Sequence, residues 1–177
     1  CPNVESIKKF ISPDALWPYT DNGEWLLHAS SPTMKPDESY AYRIQLMADQ
    51  IKVLFGSVPD NLEEFSLLSQ ISQAEAKKYF IERFRIGKWR RTGIIWWNVV
   101  DGCPQFSDAV VDYYFCKKLA YNFIKRSQEM VCLMCDEPEG GNVSLVGSND
   151  YATDKQVSFK VTDLACGDIV WEGSVVL

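Results

Sequence analysis

The run Gly93-Ile94-Ile95-Trp96-Trp97-Asn98-Val99-Val100 constrains this chain more than any other feature. Apolar side chains fall on both faces of an extended backbone there, so neither face suits water. Strands of that kind belong to parallel sheets covered on both sides. A parallel strand takes its hydrogen bonds from parallel neighbours. The first 128 residues contain no second run of this kind. We therefore expect the lateral partners of Ile94–Trp97 to lie in a larger α/β unit of which this chain is the tail, rather than in a second molecule. The chain opens at Cys1 rather than Met, which agrees with a piece of a longer polypeptide. A processed lipoprotein is the alternative. Its lipid-bearing Cys would be followed by a flexible tether, whereas Val4–Ile11 reads as a short amphipathic helix.

The rest of the pattern divides near residue 128. From Ser12 to about Pro36 the sequence is irregular, yet it carries Trp17, Tyr19, Trp25 and His28. Disordered loops are poor in aromatics, so this one is expected to be ordered and packed at a site. Asp37, Glu38 and Ser39 open a helix whose apolar face is Tyr40, Ile44, Met47, Ile51 and Leu54, and Gly56 and Pro59 end it. A second helical stretch runs from about Leu62 to Ile86. Ser72-Gln73-Ala74-Glu75 fits a capping box, which predicts a break near Gln70. Lys88-Trp89-Arg90-Arg91 reads as a solvated turn, and Cys116 to Ser127 as a further helix. Beyond Glu129, short β-rich runs at Met130–Cys135, Asn142–Val146, Gln156–Thr162 and Ile169–Val176 alternate with turn residues. That texture predicts an antiparallel sandwich. The expected division is 1–128 and 129–177, an α/β part followed by an all-β part.

Charge and residue type exclude several functions. With 18 Lys+Arg against 24 Asp+Glu, the net charge is −6, which argues against a phosphate-backbone binder. No apolar run approaches the ~20 residues of a membrane span. Nucleic-acid and membrane partners are therefore not expected. The six cysteines have irregular spacings, unlike a disulfide framework. Cys132-Leu133-Met134-Cys135 has no second pair, and His28 is the single histidine. We read the pair as buried free thiols in a strand and expect neither a metal nor a cofactor.

The motif Gly93 to Pro104, with Asp101-Gly102-Cys103-Pro104 after the apolar run, resembles the eighth barrel strand and following loop of glycoside hydrolase family 2. Ser107, Asp112-Tyr113-Tyr114, Lys117-Lys118 and Ala120-Tyr121 resemble that family's Ser, Asp-Tyr, Lys and Ala-Tyr pattern. Ser69-Gln70 and Gln73-Ala74-Glu75 resemble the preceding helix, most closely in β-mannosidase-like members. The resemblance is strongest over residues 60–128, and 129–177 resembles the β-sandwich that follows the barrel. It implies the C-terminal part of a (β/α)₈ TIM barrel, with its site at the C-terminal strand ends, plus a partial immunoglobulin-like β-sandwich. It also implies a retaining β-glycosidase with two Glu carboxylates about 5–5.5 Å apart. Because the family nucleophile lies just before a segment like Cys1-Pro2-Asn3, both catalytic carboxylates are expected upstream of residue 1, and this chain alone is expected to be inactive. Of the residues retained, Trp97 aligns with the tryptophan that floors the subsite of the cleaved sugar. Asn98 and Asp101 lie at the strand end, and Trp25 and His28 on the loop after the seventh strand, the position of a site wall. Flat aromatics match the apolar C–H faces of sugars while polar groups meet the hydroxyls. Cys103 stands where many members have Trp, so this wall departs from the family pattern.

The parent protein is thus expected to hydrolyse terminal β-linked mannosides or galactosides of oligosaccharides or glycans. The alternatives are a non-catalytic carbohydrate-binding or assembly module and an interaction domain unrelated to sugars. Exposed strand and helix faces predict that the isolated chain self-associates.

Overall fold

A computed structural model describes residues 1–29 and 42–177. The predicted helix start at Asp37–Tyr40 and the end of the long irregular stretch lie outside the described residues. The chain is a mixture of helices with small antiparallel sheets, and it forms two compact units. The first comprises Cys1–Phe80 and Ile94–Arg126, and the second Ile81–Gly93 and Ser127–Leu177. No helix among the described residues is long and apolar enough to cross a membrane.

In the first unit, α1 (Val4–Ile7) is followed by a 3₁₀ turn at Pro13–Ala15 and by α2 (Gly23–Leu27). Asn22 caps α2. Its side-chain oxygen accepts the N–H groups of Glu24 and Trp25, satisfying two of the donors a helix start leaves open. Its amide nitrogen donates to Ala15 O at 2.7 Å and Pro18 O at 2.8 Å, which folds the 15–22 loop onto the cap. Helix α3 (Tyr42–Phe55) buries Ile44, Met47, Ala48 and Ile51, the face its periodicity predicts. Leu54, expected on that face, is more than half exposed.

Helix α4 (Leu62–Ile86) runs unbroken. Asn61 Oδ1 accepts Glu64 N–H at 2.9 Å, so the cap sits here and not at Ser72. The Ser72 hydroxyl instead donates to Leu68 O, one turn back, at 2.9 Å, and the predicted break near Gln70 does not occur. The buried face of α4 is partly polar, and several of its side chains bond to other elements. Ser66 Oγ donates to Pro2 O at 2.7 Å, and Gln70 Nε2 donates to Asn3 Oδ1 at 2.9 Å. Gln70 Oε1 accepts the N–H of Leu119, the first residue of α5 (Leu119–Ser127), an otherwise open helix-start donor. The core joins Ile7, Ile11, Trp25, Ile51, Phe65 and Phe106 with their neighbours. It is aromatic at its centre: Trp25 stacks on Phe106 with centroids 4.1 Å apart.

The predicted strand at Ile94–Trp97 is not a strand. Residues 94–97 belong to no strand, and the nearest β contact is a single parallel bridge between Val100 and Val111. Ile95 is fully exposed and Trp97 is 74% exposed. The physical reason is the one its composition suggests: apolar residues on both faces do not make a strand without neighbours to complete the ladder.

In the second unit β1 (Val131–Cys135) pairs antiparallel with β2 (Leu145–Asn149), and β3 (Gln156–Thr162) with β4 (Ile169–Val176), giving two two-stranded sheets. The second predicted strand, Asn142–Val146, is displaced to Leu145–Asn149. Gly140 and Gly141 take positive φ angles of 58° and 82°, which glycine adopts without strain, and the chain turns there first. Arg85 ties this unit together by donating to Ser127 O at 2.7 Å and pairing with Asp150 at 2.9 Å. Lys88 reaches the other oxygen of Asp150 and donates to Ser148 Oγ at 3.1 Å, and Arg83 pairs with Asp136. The six cysteines are free thiols, and the buried-thiol reading fails for the Cys-x-x-Cys pair: Cys132 is half-buried and Cys135 exposed. Three residues apart in one strand, they point to opposite faces.

Candidate functional site

The segment 97–101 carries three of the five residues singled out from the sequence. Trp97 presents most of its ring to solvent. Its carbonyl accepts the Lys77 ammonium at 2.8 Å, and the same ammonium lies 5.2 Å from the Trp96 ring centroid. Burial lowers the pKa of Lys77, with Asp108 opposing that shift. Asn98 is half-buried, and its Oδ1 is shielded from solvent with no hydrogen-bond partner in the structure. The peptide bond between Trp97 and Asn98 is cis.

Asp101 is buried at 4% exposure. Oδ1 accepts the Ser107 hydroxyl, and Gln105 Nε2 at 2.9 Å. Oδ2 faces the Lys118 ammonium at 3.6 Å, with both side chains fully buried. Backbone bonds hold the segment beside 110–111: Val110 N–H to Asn98 O at 3.2 Å, Val111 N–H to Val99 O at 2.9 Å, and Asp101 N–H to Val111 O at 3.1 Å.

Trp25 and His28 are placed differently. Trp25 has no exposed surface, and its indole N–H donates to Ala15 O at 3.2 Å. His28 is half-buried. Its Nδ1 lies 2.8 Å from Pro104 O, and its ring is 4.8 Å from that of Phe10. With Phe106 N–H donating to His28 O at 2.8 Å, α2 braces the far end of the 101–106 loop. The structure therefore brings Trp97, Asn98 and Asp101 together on one segment, and joins Trp25 and His28 to that loop through Phe106 and Pro104.

A cavity of about 330 Å³ opens beside Trp97, with Cys1, Ser69, Gln73, Lys77 and Asp108 in its wall. Gln73 Nε2 donates to Asp108 O at 2.6 Å, and Arg43 pairs with the Asp108 carboxylate. Lys77, Ser107 and Lys118 were not among the site residues expected from the sequence. Charged side chains on a helix read as solvated, and only the packing shows Lys118 enclosed. The adjacent Lys117 is exposed, so the Lys-Lys pair itself gave no signal of which residue is enclosed.

The two early glutamates are engaged locally. Glu5 pairs with Lys8, and Glu24 accepts the N–H and hydroxyl of Ser12. Those Ser12 bonds lower the Glu24 pKa, the reverse of what a general acid needs. The arrangement suits recognition of an apolar-faced, polyhydroxylated ring by Trp97 and the polar groups around it.

No family model and no curated protein matches this sequence. Among solved structures, the chain is similar to a stretch of a glycoside hydrolase. That structure is the β-D-mannosidase from Dictyoglomus thermophilum, 26% identical, with a TM-score of 0.71. The match covers 99% of this chain and 22% of the mannosidase, so the chain spans about a fifth of that protein's length. The β-mannosidase-like resemblance drawn from Ser69-Gln70 and Gln73-Ala74-Glu75 thus extends to the fold of nearly the whole chain.

Proposed function

We propose that this chain is the C-terminal part of the catalytic barrel, with part of the following β-sandwich, of a retaining family-2 β-glycosidase acting on terminal β-mannosides. The observation that carries the proposal is the fold match to a β-D-mannosidase over 99% of the chain. The exposed 94–97 segment, which pairs with no strand among the described residues, supports it, because a barrel strand separated from its neighbours has this exposure pattern. In this reading Trp97 floors the sugar subsite, Asn98 and Asp101 serve the hydroxyl-facing end of the strand, and Trp25 and His28 support the adjoining wall. Both catalytic carboxylates lie upstream. Galactosides are the second substrate class.

The test compares this chain with a protein extended upstream through the preceding barrel strands, on aryl β-mannoside and aryl β-galactoside. Hydrolysis of the mannoside by the extended protein, with none by this chain, is the expected result. An extended protein that cleaves neither glycoside overturns the proposal. Heat of mannoside binding to this chain, together with an inactive extended protein, would favour the binding-module reading.

A further inference from the structure

We propose that Lys118 is a positioning residue that sets the placement of Trp97 and Asn98 through the loop from Asp101 to Asp112. Lys118 is fully buried and meets this loop in two ways. Its ammonium faces Asp101 Oδ2 at 3.6 Å and donates to Ser107 O at 3.3 Å. Its backbone N–H donates to Val110 O at 2.9 Å. Val110 and Val111 in turn donate to Asn98 O and Val99 O, and Val111 O accepts Asp101 N–H. One lysine therefore holds Asp101, Ser107 and Val110, three points of the loop that hydrogen-bonds the backbone at Asn98 and Val99.

The charges around it fit a fastening rather than a surface pair. Asp101 is held on Oδ1 by Ser107 and Gln105, leaving Oδ2 for Lys118. Asp112 is also buried, and its Oδ1 accepts the N–H groups of Tyr114 and Cys116 at 3.0 Å each, closing the turn before Lys118. Its Oδ2 is buried with no hydrogen-bond partner. The enclosed Asp101 carboxylate and the buried Ser107 carbonyl thus share one enclosed ammonium. Removing that cation leaves Asp101 uncompensated and takes the donor from Ser107 O, and the second loss remains when Asp101 is made neutral. The loop must then rearrange, and the backbone at Asn98 and Val99 that it holds moves with it, carrying the adjoining Trp97.

The inference rests on the sugar-site reading only for the purpose of the placement, so its test uses no sugar. The chain is labelled with 5-fluorotryptophan, and its six tryptophan ¹⁹F signals are recorded, with Trp97 assigned by a Trp97→Phe sample. Lys118→Met is compared with Asp101→Asn/Lys118→Met, which removes both charges of the pair and keeps the shapes. The expected result is a shifted or broadened Trp97 signal in every folded variant, including the charge-balanced double variant. The signals of Trp17, Trp25 and Trp171 stay in place. A folded double variant with an unmoved Trp97 signal overturns the proposal, since the pair then serves stability alone. Equal displacement of all six signals, or a double variant that does not fold, overturns it as well.

Discussion

Replacing Trp25 tests whether its ring is core or binding wall. The side chain has no exposed surface. It stacks on Phe106 at 4.1 Å and meets Phe65 and Trp17 edge-on at 6.0 and 6.2 Å. Truncation to Ala removes these contacts and leaves a hole, which costs about 3–5 kcal/mol for a buried Trp or Phe. Against a typical total of about 5–15 kcal/mol, that is a large share of the stability available to a domain. With a urea m-value of about 2 kcal/mol/M, the unfolding midpoint of the first unit falls by about 2 M. Trp25→Phe is milder. It loses the indole N–H bond, but Ala15 O still accepts Asn22 Nδ2 at 2.7 Å, so no buried carbonyl is stranded. The expected cost is about 1–2 kcal/mol. Urea titration followed by circular dichroism at 222 nm reads both variants. A loss below about 1 kcal/mol for Trp25→Ala would refute the argument and return Trp25 to a purely contact role.

Three further outcomes are expected. Hydrogen bonding from Lys88, then attraction to Arg85, holds the Asp150 carboxyl below its ordinary pKa of 3.8. A group with a depressed folded pKa stabilises above its unfolded pKa, and that stabilisation is lost as pH falls through the folded value. The second unit should therefore lose stability below about pH 4, and Asp150→Asn should flatten this acid limb in a thermal-melt series. Gly173 lies opposite Phe159, and a Cβ there would meet the ring at 3.0 Å. Gly173→Val should destabilise the second unit by about 1–3 kcal/mol and change the near-ultraviolet signal of the Phe159–Trp171 pair; an unchanged spectrum and midpoint would contradict this. Sedimentation velocity should show self-association rising with concentration, and Ile95→Lys, at a fully exposed apolar position, should reduce it. A monomer at every concentration would remove that expectation.

Elements that carry their own hydrogen bonds were readable from sequence. The periodic residues of α3 and the alternating runs of β3 and β4 needed no distant information, and both form where expected. The errors occur where a competing bond decides. Ser72 has the chemistry of a cap, but its hydroxyl bonds back to Leu68 O and α4 continues. Residues 94–97 have the composition of a strand, but no strand pairs with them among the described residues. At the candidate site, Trp97 was singled out through the family resemblance of its motif. The Lys118–Asp101 pair was not, because nothing in one dimension brings residue 118 to residue 101. Trp25 illustrates the converse: an aromatic in an irregular stretch suggests a binding wall, and only packing shows its ring enclosed.

The cap of α2 also bears on how this protein ages. Asn22 is followed by Gly23, the dipeptide in which the next amide nitrogen most readily attacks the side-chain carbonyl to form a succinimide and release ammonia. Here the carboxamide is tethered at both ends, its nitrogen to two carbonyls and its oxygen to two amides, so rotation toward attack must break four bonds. Deamidation would leave an aspartate or isoaspartate facing Ala15 O and Pro18 O, where two donors had been. The folded chain therefore guards a chemical clock that starts once the 15–25 loop comes undone.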